Sequence, residues 1–156
     1  MLREDRGQIS IEFIILIGAI MVMVVAVFPF ITRANELSKA QAAARDGATF
    51  AAGMRGMGYK PGSDKEIPPG VVKITRVDMV KVGNYSNLDW YRFYISVHAP
   101  DYILDNTTYR QSLCGTIANQ ALRYVYYAFN GRWPSQSTIS YVNTARYHFT
   151  VSCTFE

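Results

Sequence analysis

The chain has 156 residues and a formal net charge of +4, with 49% hydrophobic and only 18% charged residues. No Lys or Arg stands next to another, so there is no basic run to track a phosphate backbone, and charge gives no argument for nucleic acid as a partner. Two histidines and two cysteines leave a small inventory for metal or nucleophilic chemistry.

Residues 1–7 form a short polar leader ending in Gly7. Residues 13–31 follow as an apolar run, in which only Gly18 and Pro29 fall outside the strongly apolar set. A transmembrane helix needs ~20 such residues, so this segment is long enough to span a bilayer. A secretory signal would have a shorter core and a small-residue cleavage site, whereas here the run ends in Phe28-Pro29-Phe30-Ile31-Thr32-Arg33. A plain signal anchor accounts for the length and hydropathy but says nothing about Gln8, Ser10 or Glu12. A carboxylate at Glu12, on the edge of the run, is costly unless it finds a cation or reaches the headgroups.

The order Gly7, Gln8-Ile9-Ser10-Ile11-Glu12-Phe13-Ile14-Ile15-Leu16 resembles the prepilin-type (class III) signal of type IV pilins. It is most similar to the archaeal pattern Gln-x-Ser-x-Glu-x-x-x-Leu, with Gln8, Ser10, Glu12 and Leu16 in register. The resemblance covers about residues 1–31. It implies cleavage between Gly7 and Gln8 by a membrane-embedded prepilin peptidase, leaving Gln8 as the mature terminus. It also implies that Gln8, Ser10, Glu12 and Leu16 serve assembly, with Glu12 facing the terminal amine of a neighbouring subunit. A carboxylate beside a low-dielectric phase favours such a cation. Snorkelling to the interface is the alternative for Glu12.

Residues 8–56 read as one long helix whose second half is rich in alanine, a strong helix former. At 1.5 Å per residue it would be roughly 70 Å long, about twice a bilayer. Its small residues would let neighbouring backbones approach closely, as a helical bundle needs. Pro29 is expected to kink or locally melt it. Residues 57–70, with Gly58, Pro61, Pro68 and Pro69, form a linker. The head, residues 71–156, begins with a strand over 71–82 whose alternation slips near Arg76, the sign of a bulge. A turn over 83–87 leads to a second strand in which Tyr91, Phe93, Ile95, Val97 and Ala99 share one face. Asn106 reads as the cap of a helix running to Asn130 and Gly131. Residues 137–142 and 145–155 are the third and fourth strands. The fold class is α+β: a long N-terminal hydrophobic helix, then a small head with an antiparallel sheet (ββαββ) and one covering helix.

Cys114 and Cys153 both fall in the head, which the resemblance places outside the cell. There a lone pair reads as a disulfide, worth about 4 kcal/mol by loop closure; two buried thiols are the other reading. His98 and His148 lie on the polar parity of their strands without acidic or thiol neighbours at ligand spacing, so no metal site and no cofactor is expected. Asp101 and Asp105 read as turn and cap residues. The clustered Tyr124, Tyr126 and Tyr127 fit either a half-buried helix edge or a contact surface. The sequons Asn84-Tyr85-Ser86 and Asn106-Thr107-Thr108 stand in turns, where they could carry glycans; the archaeal resemblance adds weight to N-glycosylation at Asn84 and Asn106.

The expected protein is therefore not an enzyme. It is a pilin, the structural subunit of an extracellular type IV pilus-like filament, made as a membrane-inserted precursor and displayed on the cell surface. Its expected partners are further copies of itself in a homopolymeric filament, the prepilin peptidase, the membrane during biogenesis, and a surface ligand or glycan. The alternative is a monomeric binding module tethered by the same helix.

Overall fold

The computed structural model describes residues 4–59 and 66–156, with side chains of the N-terminal helix from Ile11 onward. The elements in order are α1 (Glu4–Gly56), β1 (Lys73–Tyr85), β2 (Leu88–His98), α2 (Asp101–Leu104), α3 (Thr107–Asn130), β3 (Val142–Asn143) and β4 (Tyr147–Phe155). This is the expected α+β arrangement of a long helix followed by a small head. The chain divides into two compact units, Met1–Ser38 and Lys39–Glu156, with the boundary inside α1.

The first unit is helix alone. α1 continues through Pro29, so the expected local melting does not occur. Proline removes a single donor from the ladder, and the remaining bonds hold the helix. The Thr32 hydroxyl donates to the Phe28 carbonyl at 2.9 Å in the same turn.

In the second unit, the alanines of α1 are consumed within the chain. Ala40, Ala44, Ala48 and Ala51 are fully buried, a stripe at helical spacing that Arg55 continues. Gly47 lies against α3 so closely that an added Cβ would come within 2.5 Å of the Gln120 carbonyl oxygen. The close backbone approach expected between subunits is thus made here between two helices of one chain. Gln41 Nε2 donates to the Val77 carbonyl on β1, and Lys39 Nζ lies 5.6 Å from the centre of the Phe129 ring.

α1 ends in a Schellman motif. Gly58, at φ +79°, donates to Arg55 O, and Tyr59 donates to Met54 O. Residues 60–65 of the expected linker lie outside the described residues. Gly70 N then donates to Gly56 O at 2.9 Å, returning the chain beside the helix end.

The sheet order is β1-β2-β4-β3. β1 and β2 form a hairpin whose turn residues Ser86 and Asn87 both have positive φ, the type I′ pattern that matches strand twist. The expected irregularity near Arg76 is present as a register shift between Ile74 and Arg76, and a second lies between Lys81 and Gly83. β3 pairs antiparallel with β4, but β4 runs parallel to β2, so the sheet is mixed where an all-antiparallel one was expected. The reason is the connection: α2 and α3 carry the chain back across the sheet before β4, the crossover that parallel neighbours require.

Residues 137–141, expected as strand, are irregular, and β3 is only Val142–Asn143. Side chains of α3 take the backbone groups a ladder would have used. Asn119 receives the Ile139 N–H at 3.0 Å and donates to Ser137 O, which Arg123 also reaches at 3.0 Å. The core lies between the sheet and α3. Phe93, Ile95 and Val97 of β2 and Phe149 of β4 meet Leu113, Ile117, Ala121 and Val125, all fully buried. Phe93 and Phe149 stack at 5.5 Å. The expected alternation is present in β2 from Phe93 to His98, but β4 does not alternate in burial, because His148 is buried along with Tyr147 and Phe149.

Candidate functional site

The first candidate is α1 itself. Every described residue from 11 to 31 is exposed, including Ile14 at 65%, Val22 at 70% and Phe30 at 73%. This one helix is long and apolar enough to cross a membrane. A continuous apolar surface of that extent is not left in water; lipid or other chains must cover it. Gln8, Glu12 and Leu16 fall at i, i+4 and i+8, on one side of the helix by spacing. Glu12 and Leu16 are exposed. Gly7, Gln8 and Ser10 are helical in the backbone, and their side chains lie outside the described residues, as do residues 1–3 of the leader.

The head is held together at three points that bear on what its surface can do. Cys114 of α3 and Cys153 of β4 form the expected disulfide, with Cα atoms 5.7 Å apart. Arg55, 1% exposed, donates from Nη2 to Ser112 Oγ at 2.6 Å and from Nη1 to the Tyr59 carbonyl, joining the end of α1 to α3. The third is an aromatic cluster on the sheet face away from α3. His148, 5% exposed, stacks on Tyr85 at 4.3 Å and packs against Tyr141 and Trp90. Its Nδ1 lies 2.6 Å from Asn143 Oδ1. An amide oxygen only accepts, so Nδ1 carries the hydrogen. Burial lowers the His148 pKa below the ordinary histidine value and favours the neutral ring.

His148 has the polar parity read from the sequence, yet it is buried. The rings covering it come from the hairpin turn and from the segment before β3, which alternation within one strand does not reveal. Trp90 Nε1 donates to Thr150 Oγ1 at 2.9 Å, and Arg92 lies over the Trp90 ring at 5.0 Å. His98 is exposed at the far end of β2. Arg55 was also missed; its signal is its place at the end of the Ala44, Ala48, Ala51 stripe. The α3 tyrosines divide: Tyr124 and Tyr127 pack on Trp133, and Tyr124 reaches Phe50 of α1.

The two sequons differ. Asn106 caps α3, its Oδ1 accepting from Thr108 N at 2.9 Å and Tyr109 N at 3.2 Å, which leaves its amide nitrogen out of the cap. Asn84 lies in β1, and its amide nitrogen is placed to donate to Gly83 O and to the Asp89 carboxylate at 3.1 Å.

The class III signal peptide family matches residues 6–28. No curated protein and no solved structure matches the chain. The matched segment holds Gly7, Gln8, Ser10, Glu12 and Leu16 and most of the exposed apolar surface. A class III signal on a helix of this kind, ahead of a small α+β head, supports a type IV pilin-like protein that is processed by a prepilin peptidase. It is also consistent with a membrane-inserted precursor and a surface subunit.

Proposed function

We propose that the chain is the structural subunit of a type IV pilus-like filament of the archaeal kind, without catalytic activity. In this reading the precursor sits in the membrane through residues 13–31 and is cut between Gly7 and Gln8. The N-terminal helices then pack together and the heads face outward on the cell surface. The observation that carries the proposal is the unbroken exposure of the apolar helix over residues 11–31, most of it in the segment 6–28 matched as a class III signal. Packing such helices against one another replaces lipid with protein and gives Glu12 a cation, the new amine of a neighbouring Gln8. Loss of that amine's partner would leave a charge unpaired in an apolar filament core.

Of the two sequons, Asn106 is the better acceptor, because its amide nitrogen is not held by the cap, whereas that of Asn84 faces Asp89. Glycopeptide mapping of surface material should find the glycan at Asn106. The processing step is read by mass spectrometry of the mature chain. Its first residue should be Gln8, open or cyclised to pyroglutamate. A surface protein still beginning at Met1, or cut after Phe28, would remove the basis of the proposal.

A further inference from the structure

Between the C-terminal part of α3 and the segment leading into β3 lies a cleft of about 440 Å³. That volume is in the range of small-ligand sites. Its walls have an unusual uniformity: none of the lining residues carries a charge. Tyr126 and Tyr141 supply two aromatic rings, and Tyr141 is 56% exposed. Ser135, Thr138 and Ser140 supply hydroxyls, and Gln136 and Asn143 supply amides. Asn143 is engaged with His148, whose burial favours the neutral ring. The other hydroxyls and the Gln136 amide make no hydrogen bond within the described residues.

The cleft is also fixed in shape. Its outer wall, residues 134–141, has no ladder of its own but is pinned from α3. Asn119 holds Ser137 and Ile139, and Arg123 holds Gln136 and Ser137. These bonds go to backbone atoms, so the side chains of the wall are left for a ligand. At the far end the Tyr141 ring rests on His148 at 5.4 Å. A wall pinned before binding spares the ordering cost that a free loop would incur.

We infer that this cleft is a binding site for a neutral saccharide, on the scale of a mono- or disaccharide. The chemistry selects the class. No Lys, Arg, Asp or Glu lines the wall, and Arg123 behind it gives its guanidinium to the Gln136 and Ser137 carbonyls, so phosphates, sugar acids and amines find no counter-charge turned to the cleft. An apolar ligand would strand the unpaired hydroxyls and the Gln136 amide, whose desolvation is costly. A saccharide presents C–H faces to tyrosine rings and a rim of hydroxyls to hydroxyl and amide partners, which is the pattern the wall offers. The inference stands on the head alone and does not depend on filament assembly.

The test uses the full chain in a zwitterionic detergent that has no sugar headgroup. Lactose, cellobiose, maltose and N,N′-diacetylchitobiose are titrated in by calorimetry and by amide chemical-shift mapping. Sialyllactose and glucose 6-phosphate serve as charged comparisons. At least one neutral sugar should bind, with shifts confined to residues 134–143 and the Tyr126 turn, and charged sugars should bind more weakly. Tyr141→Ala should weaken binding by at least about tenfold, an aromatic-stacking contribution. Tyr126→Phe, which keeps the ring and removes only a hydroxyl, should weaken it less while leaving the melting temperature unchanged. That variant keeps the test decisive if Tyr141→Ala disturbs the His148 cluster. No neutral sugar binding, shifts mapping elsewhere, tighter binding of the charged sugars, or a cleft that closes only against a second copy of the chain would each overturn the inference.

Discussion

Gly47 of α1 meets the Gln120 carbonyl of α3 with no space for a side chain between them: a Cβ at Gly47 would lie 2.5 Å from that oxygen. Gly53, further along the same helix, has nothing within 4 Å of where its Cβ would be. The two glycines therefore make a matched pair. In an open helix, Gly→Ala stabilises by up to about 1 kcal/mol. Gly53→Ala should show that gain in thermal or denaturant unfolding of the head. Gly47→Ala should instead destabilise by about 1–3 kcal/mol, because backbone on both sides must move apart. Equal gains at both sites would show that α1 and α3 do not pack as described.

The Cys114–Cys153 bridge ties α3 to β4 across a sequence separation of 39 residues. Constraint of the unfolded chain makes such a bridge worth about 4 kcal/mol. Reduction should lower the melting temperature of the head strongly and leave the helical signal of the apolar segment in place. Non-reducing peptide mapping that found two free thiols in surface material would contradict the bridge.

His148 gives the head a pH dependence with a definite sign. Its pKa is lowered in the fold. The unfolded chain therefore takes up the proton first, and stability falls as pH drops below the ordinary histidine value of about 6.5, levelling off once the folded-state pKa is passed. The stabilisation is fully present above that ordinary value. Burial of the ring is the cause of the shift. His148→Gln should flatten the slope between neutral and mildly acidic pH in denaturant titrations. An unchanged slope would mean that another group carries it.

Much of this molecule could be read from residue order, and the parts that could not share a cause. The long helix, the clean face of Phe93, Ile95 and Val97, the bulge near Arg76, the Asn106 cap and the Gly131 stop are local patterns, set by neighbours a few positions away. The parallel pairing of β2 with β4 is not local. It depends on whether the chain leaving α3 brings β3 or β4 beside β2, and either strand satisfies the alternation. Residues 137–141 have strand-like composition, but Asn119 and Arg123 take their backbone groups. His148 has the parity of a solvent residue and is buried by rings from two other segments. The alanines of α1 signalled close packing correctly but not its partner, which is α3. At the N-terminus the case is reversed. Gln8, Ser10, Glu12 and Leu16 are more legible as an ordered motif than as geometry, since in the proposed filament the surface they serve lies between chains.

The most direct test of the filament reading is electron microscopy of sheared cell-surface material, comparing cells that make the wild-type chain with cells that make Glu12→Val. If Glu12 neutralises the terminal amine of a neighbour, an unpaired charge left in the filament core costs on the order of 3–5 kcal/mol. The wild type should then yield filaments that label with antibody to the head. Glu12→Val should be made, cleaved and retained in the membrane fraction with few or no filaments. Wild-type chain that never leaves the membrane without detergent would contradict the filament account and favour a tether. Normal filaments from Glu12→Val would show that the carboxylate is dispensable for assembly.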